Sequence, residues 1–111
     1  MNKVIFRILA VILLSIALVF PISPVLAENG ARLFEVHCAG CHPNGGNIIR
    51  RGRTLQMRDL KKFRMDSVEA IGLIVTNGKG VMSAFKEKLT PAEIEEVARY
   101  VLQRAGVNWA K

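Results

Sequence analysis

The feature that most constrains this chain is a segment of six residues, 37–42, in which its two cysteines and two histidines lie together. Two cysteines three positions apart are compatible with a redox-active dithiol, with part of a zinc site, or with covalent attachment of haem. Each chemistry requires a different fold. The dithiol needs a βαβ setting, zinc needs a closed set of ligands, and haem needs a chain wrapped around a large apolar group.

The first 27 residues have the pattern of an export signal. Lys3 and Arg7 precede an apolar run of 13 residues, 8–20, in which Ser15 is the one polar member, and the small residue Ala27 ends the pattern. A basic start, an apolar centre and a small-residue end are typical of a secretory signal peptide, and a spanning helix needs about 20 apolar residues. We therefore expect cleavage after Ala27, which leaves residues 28–111 as one domain. An uncleaved membrane anchor is the alternative.

Export and small size both bear on the cysteines. Free thiols tend to oxidise outside the cytoplasm, so we expect Cys38 and Cys41 each to form a covalent bond to another group. A domain of this length commonly needs a covalent cross-link or a prosthetic group for stability, because its own core is small. A large apolar cofactor would supply the missing core. The only aromatic residues after Ala27 are Phe34, Phe63, Phe85, Tyr100 and Trp109.

Residues 38–42 form the C-x-x-C-H attachment signature of c-type haem. Two thiols with this spacing can each form a thioether with a haem vinyl group, and His42 then lies beside the iron. The sequence has no βαβ pattern for a dithiol, and His37 is too close in the chain to complete a zinc site. The motif predicts one covalent haem c, bound through Cys38 and Cys41, with His42 as an iron ligand and His37 as a surface or packing residue.

A methionine sulfur is the predicted second iron ligand, because this donor raises the reduction potential of haem iron. Met57 and Met65 lie in segments with helical periodicity, where methionine commonly fills core space. Met82 instead follows the glycine-rich segment 77–80, which lets the chain cross to the opposite face of the ring. We predict Met82 as the distal ligand. With both axial positions filled, no substrate can reach the iron, so an enzyme is not expected.

Hydrophobic periodicity predicts an all-α domain of at most four helices after the signal. A β-branched run at residues 74–76 would also suit a strand. Thr90 and Glu93 match a capping box, with Pro91 at the first helical position. The predicted helices cover about residues 29–39, with Asn29 as N-cap, then 54–64, 67–77 and 91–105.

The positive charge is concentrated in residues 50–64, which hold seven Lys and Arg side chains and one acid, Asp59. Such a surface attracts acidic partners over long distances, with an effect that weakens in salt. A merely solvated surface is the alternative. Nucleic acid is not an expected partner, because an exported domain rarely meets it and no aromatic residues are interleaved with the charges.

The chain resembles the monohaem class I cytochromes c, and within them the cytochrome c6 and c6-like group of cyanobacteria and algal plastids. The resemblance lies in "GARLFEVHCAGCH", "GGN", "NGKGVMSAF" and "LTPAEIEEVARYVLQRA" with the later Trp109. It implies about four short helices around one covalent haem, with the first and last helices crossing where Gly30 and Phe34 meet Tyr100. It also implies His42 and Met82 as axial ligands.

The family transfers single electrons in the thylakoid lumen, from the cytochrome b6-f complex to photosystem I, and some members serve a terminal oxidase. The resemblance therefore implies a soluble electron carrier in photosynthetic transport. A periplasmic location, a carrier to a terminal oxidase and a haem-based sensor are the alternatives. Apolar residues around one haem edge, with Ile48, Ala84 and Phe85 as candidates, would contact the partner.

Three positions depart from the family pattern. Ser83 replaces the proline that usually follows the methionine, and Lys88 stands where the family has a docking arginine. Ile74 replaces a glutamine beside the haem, so a dipole that tunes the iron is missing and the potential is expected to be lower. These departures place the chain nearer the c6-like members, and a related lower-potential role is a second expectation.

Overall fold

A computed structural model describes residues 2–17 and 24–111 of the chain. Within these ranges the structure is helical, with one isolated bridge between Lys79 and Met82 in place of any strand, so the prediction of an all-α fold is confirmed. The helices are α1 (Lys3–Ala17), α2 (Pro24–His37), α3 (Met57–Lys62), α4 (Val68–Asn77) and α5 (Pro91–Gly106), with a 3₁₀ turn at Pro43–Gly45.

The centre of the fold is the crossing of α2 and α5, as the family resemblance implied. Gly30 lies at the crossing, where an added Cβ would stand 2.8 Å from the carbonyl oxygen of Glu96 and 3.0 Å from the Cβ of Tyr100. The ring of Phe34 packs against Tyr100 with centroids 5.5 Å apart. Glycine is required here because any side chain would push the two helices apart.

The apolar stripe of α5 forms most of the core. Its N-terminus has the predicted capping box, in which the Thr90 hydroxyl accepts from the Glu93 N–H and the Glu93 carboxylate accepts from the Thr90 N–H. A cap of this kind contributes about 1 kcal/mol to stability. The sequence predicted a stripe of Ile94, Val97, Ala98, Val101 and Leu102. The first four are buried, Leu102 is half-buried, and Ala105 is buried in addition.

Helix α4 packs against α5 and ends where the sequence predicted. The Ser67 hydroxyl caps its first turn by accepting from the Ala70 N–H at 3.1 Å. Gly78 ends it, with a positive φ of 69° and an N–H donated to the Ile74 carbonyl. The buried side chains Ile71 and Val75 face the core. The β-branched run at residues 74–76 is therefore helical, and the alternative of a strand is wrong.

The prediction that Asn29 caps the first helix of the domain is wrong. Helix α2 begins five residues earlier, at Pro24, because residues 25–28 are compatible with a helix and proline is favoured in its first turn. Asn29 therefore lies inside α2, where its side-chain amide donates to the carboxylate of Glu96. The same contact adds a polar tie to the crossing of α2 and α5.

The predicted helix over residues 54–64 is shorter, spanning Met57–Lys62. Thr54 does not enter the helix, because its hydroxyl and its N–H both donate to the carboxylate of Asp59, at 2.6 and 3.2 Å. This pair of bonds bends the chain before Met57. At the other end Arg64 has a φ of 56°, which a continuing right-handed helix cannot contain.

The predicted signal region contains α1, but residues 18–20 of its apolar run lie outside the described residues. Across residues 2–17 and 24–111, no helix is long and apolar enough to cross a membrane. The expected cleavage point after Ala27 falls within α2, one turn before the buried Gly30.

Candidate functional site

The cysteines lie in a tight turn that continues directly from α2. The Cys38 N–H donates to the Phe34 carbonyl at 2.8 Å, and the N–H groups of Cys41 and His42 both donate back to the Cys38 carbonyl, at 3.2 and 2.9 Å. The turn places Cys38 and His42 on the inner side of the fold, whereas Cys41 is exposed. We call residues 38–46 the attachment segment.

The imidazole of His42 is oriented by the backbone of the same segment. Its Nδ1 lies 2.8 Å from the Gly46 carbonyl oxygen. A carbonyl can only accept, so Nδ1 carries the proton, and in the neutral ring the lone pair is on Nε2. This hydrogen bond fixes the tautomer and the orientation of the ring, as the second hydrogen bond of a metal-ligating histidine does.

Met82 lies in a second loop, residues 77–85, which we call the methionine loop. Lys79 and Met82 exchange two backbone hydrogen bonds of 3.0 Å, closing a turn in which Gly80 has a φ of 57°. The Phe85 N–H donates to the Val75 carbonyl at 2.9 Å and ties the end of the loop to α4. The glycine-rich turn therefore directs Met82 inward, as its position in the sequence suggested.

The attachment segment and the methionine loop face one cavity of about 220 Å³. Cys38, His42 and Met82 line it, and Cys41 does not. Its apolar walls come from every helix of residues 24–111, and polar side chains from residues 47–59 contribute to its wall. Other lining residues include Phe34, Asn47, Arg50, Arg53, Thr54, Leu55, Asp59, Leu60, Phe63, Met65, Ile71, Ile74, Val75, Lys79, Val81, Val97 and Val101.

Comparison with known proteins shows which family has a chain of this kind. The model of the cbb3-type cytochrome c oxidase subunit III family matches residues 25–101. A cytochrome c6-like protein of Nostoc sp. strain PCC 7120 is 52% identical over 112 residues, covering 98% of this chain and 99% of that protein. A cytochrome c6 of the same organism is 47% identical, covering 93% of this chain and 97% of that protein. The chain belongs to the cytochrome c6 and c6-like family.

Solved structures support the same assignment. Cytochrome c6C from Synechococcus sp. PCC 7002 matches with a TM-score of 0.70 and 54% identity, over 71% of this chain and 96% of that one. Oxidised cytochrome c6A from Arabidopsis thaliana matches with a TM-score of 0.73 and 35% identity, over 80% of this chain and 99% of that one. The predicted class I cytochrome c fold is confirmed, and as a c6-like electron carrier the chain has one covalent c-type haem.

The cavity of this cytochrome fits a haem group on three structural observations. Its walls are largely apolar, as a porphyrin ring requires. The Nε2 lone pair of His42 is left available by the bond from Nδ1 to Gly46. The thioether of Met82 lines the same space from a different loop. A neutral imidazole and a thioether together are a known donor pair for haem iron.

The dithiol alternative is disfavoured by the surroundings of Cys38. Burial, together with the charge of the neighbouring Cys41, raises the pKa of the Cys38 thiol to about 11. Redox-active cysteines have lowered pKa values, because the thiolate is the reactive form. Cys38 therefore lacks the thiolate character of a catalytic dithiol.

The three candidate contact residues around the haem edge lie outside the cavity lining. Ile48 and Ala84 are exposed as expected, but neither lines the cavity. Phe85 packs edge-on against His37 at 6.0 Å, so His37 is a packing residue, as predicted. Val81, in contrast, is an exposed apolar residue that lines the cavity. Its position in the sequence, directly before Met82, could have identified it as a residue of the site.

Two further contributions could not be read from sequence spacing. Arg53 lies over the ring of Phe63 at 3.6 Å, a cation–π contact that puts an arginine on the cavity wall. Trp109 packs behind the attachment segment, and its indole N–H donates to the Leu55 carbonyl at 3.0 Å. The only sequence signal for Trp109 was the match to the family pattern near the C-terminus.

Proposed function

We propose that this cytochrome is a one-electron carrier in which Cys38 and Cys41 attach the haem, His42 is the proximal iron ligand and Met82 the distal one. The observation that carries the proposal is the shared cavity, which Cys38 and His42 line from one loop and Met82 from another. Haem supplies an iron that alternates between the ferrous and ferric states. Two protein ligands would leave no open coordination position for a substrate.

The chain's own residues would keep the site similar in both oxidation states. The Gly46 carbonyl holds the His42 ring in one orientation, and the bridge from Lys79 to Met82 holds the methionine loop closed. A site that changes little on gaining or losing an electron needs little reorganisation, as a carrier requires. The largely apolar lining would favour the less charged, reduced form.

The cysteine attachment and the second ligand are tested together on the purified holoprotein. We expect a haem mass that survives denaturation and, in the oxidised protein, a sulfur-to-iron charge-transfer band. Met82→Ala should abolish the band and allow the reduced protein to bind carbon monoxide. Met65→Leu is the matched control, because Met65 also lines the cavity, and it should keep the band. Ready binding of carbon monoxide by the unaltered protein would instead identify a haem sensor.

The proposed route of electrons is from the cytochrome b6-f complex to photosystem I or to a related lower-potential acceptor. The support is the family membership together with Ile74, which lines the cavity where the family resemblance expects a glutamine. The midpoint potential distinguishes the two roles. A value too low to accept electrons from the b6-f complex would exclude the first and leave the second.

The proposed docking surface includes the basic side chains of residues 50–64, which are mostly exposed. They would attract an acidic partner, so we expect the electron-transfer rate to fall as ionic strength rises. Replacing Lys61 and Lys62 by alanine should flatten this dependence. Arg99→Ala is the matched control, since Arg99 is exposed on α5 and paired with Glu95. A rate independent of salt in the unaltered protein would contradict the steering.

We propose that residues 1–27 are a signal peptide removed on export to the thylakoid lumen or the periplasm. The support is the basic, apolar and small-residue pattern together with the short α1 of 15 residues. N-terminal sequencing of the mature protein should begin at Glu28. A start before Pro21 would contradict the proposal. Cleavage would shorten α2 without removing Gly30 from its crossing with α5.

A further inference from the structure

The C-terminal tail folds back on the attachment segment in an unusual backbone conformation. After α5 ends at Gly106, the N–H of Trp109 donates to the Arg104 carbonyl at 2.8 Å. Asn108 and Trp109 have φ values of 53° and 56°, a left-handed region that a bulky residue such as tryptophan rarely occupies. Side-chain contacts must therefore hold the tail in this conformation.

The indole of Trp109 makes those contacts on three sides. Its ring lies 5.1 Å from the Phe34 ring, and its N–H donates to the Leu55 carbonyl at 3.0 Å. It also fills the space above Gly45, where an added Cβ would stand 2.3 Å from the indole Cε2. Phe34 and Leu55 line the haem cavity, so the ring lies directly behind its wall.

A short series of contacts connects this indole to the iron ligand. The Leu55 N–H donates to the Gly45 carbonyl at 2.7 Å, which fastens the two residues that Trp109 covers. The next carbonyl along the chain, that of Gly46, accepts from Nδ1 of His42 at 2.8 Å. The position of this carbonyl therefore depends on the packing of Gly45 beneath the indole.

We propose that Trp109 is a positioning residue for His42, holding the Gly46 carbonyl so that the imidazole keeps its orientation and its bond from Nδ1. The proposal rests on the proposed role of His42 as iron ligand. A tight bond from Nδ1–H to Gly46 increases electron donation from the imidazole to iron and so stabilises ferric iron. Loosening the tail weakens that bond, so the midpoint potential rises and the Nδ1 proton exchanges faster with water.

Two variants of the holoprotein test this role in steps. Trp109→Phe retains a ring over Gly45 but loses the bond to the Leu55 carbonyl, and Trp109→Leu loses both contacts. We expect the exchange rate of the His42 Nδ1 proton, followed by NMR in the diamagnetic ferrous protein, to rise in the order unaltered, Phe, Leu. In Trp109→Leu the exchange rate should be about tenfold that of the unaltered protein, the change expected when the bond from Nδ1 to the Gly46 carbonyl is lost. The midpoint potential should rise in the same order.

A matched control separates positioning from general loss of stability. Leu102→Ala also removes apolar packing from the C-terminal part of the core, but Leu102 does not line the cavity. It should leave both the exchange rate and the potential unchanged. Trp109 variants that resemble the unaltered protein, or that differ from it no more than Leu102→Ala does, overturn the proposal. If the unaltered protein itself lacks a histidine–methionine haem spectrum, the proposed function has failed instead.

Discussion

The attachment segment and the methionine loop face the same cavity but are held in different ways. The attachment segment is fastened by residues far along the chain, since Gly45 accepts from the Leu55 N–H and is covered by the indole of Trp109. The described backbone hydrogen bonds of the methionine loop stay within residues 74–89. Its ring contact with α2 is the packing of Phe85 on His37.

This difference predicts which side of the haem site opens first. A loop that depends on neighbouring residues and one glycine turn can open while the rest of the fold remains intact. The attachment segment can open only if the tail or residues 53–55 also move. Breaking the two regions separately should therefore give different results, with the methionine side showing the larger change in coordination.

The largest effect is expected from Gly78→Ala. Gly78 has φ 69° and ψ 175°, a region that essentially only glycine adopts, and its added Cβ would stand 2.6 Å from the Met82 carbonyl oxygen. The backbone conformation costs about 1–3 kcal/mol, and the collision with rigid main-chain atoms costs about 1–3 kcal/mol more. The sulfur-to-iron band should be lost at room temperature, while the haem stays covalently attached.

Gly80→Ala is the control that separates the two costs. Gly80 also has a positive φ, 57°, but an added Cβ meets nothing within 4 Å. Only the backbone cost of about 1–2 kcal/mol should appear in its unfolding free energy, and the band should persist. Equal loss of the band in both variants would show that the collision with the Met82 carbonyl is unimportant.

A smaller effect is expected from Gly45→Ala in the attachment segment. Its Cβ would also collide, 2.3 Å from the indole Cε2, but the obstacle is a side chain on a terminal tail that can move away. We expect destabilisation of about 1–3 kcal/mol with the sulfur-to-iron band retained. Trp109 is the one tryptophan of the chain, so its fluorescence should increase as the indole moves away from the haem.

Gly52→Ala provides the comparison for this variant. Gly52 lies in an exposed turn where an added Cβ has nothing within 4 Å. Neither the emission nor the unfolding free energy should change by more than a few tenths of a kcal/mol, about the size of ordinary surface effects. Loss of the methionine band in Gly45→Ala would contradict the independence of the two regions.

The same contrast explains how much could be predicted from the sequence. Short local segments of the sequence were enough to predict the cofactor, the caps of α4 and α5 and the inward position of Met82. The fastening of the attachment segment depends on Trp109 meeting Gly45, a pairing that no periodicity encodes. The shortened α3 was missed for a related reason, because the bonds from Thr54 to Asp59 replace helical ones.

A change in redox tuning without a change in structure is expected from Ile74→Gln. Ile74 lines the cavity from α4, one turn before the methionine loop. An amide placed there adds a dipole beside the iron and should raise the midpoint potential. Leu73→Gln is the matched control, because Leu73 is 65% exposed on the same helix. Equal shifts in the two variants would rule out a local dipole as the cause.

The smallest effect concerns acid stability on the attachment side. The hydroxyl and the N–H of Thr54, followed by the charge of Arg58, hold the pKa of Asp59 below its ordinary value of 3.8. Since the folded-state pKa is the lower one, the stabilisation is present above the ordinary carboxyl range and is lost as the pH falls through the folded value. Asp59→Asn should therefore make unfolding less dependent on pH below about 4.

This measurement also sharpens the comparison between the two regions. Asp59 fixes Thr54 beside Leu55, and Leu55 fastens Gly45, so acid should loosen the attachment segment. The methionine loop has no such carboxylate among its own described residues 77–85. Acid titration of the unaltered protein should thus change the emission of Trp109 before it weakens the methionine band, and Glu87→Gln, at an exposed carboxyl, should keep that order. The opposite order would mean that the carboxylate of Asp59 does not control the attachment side.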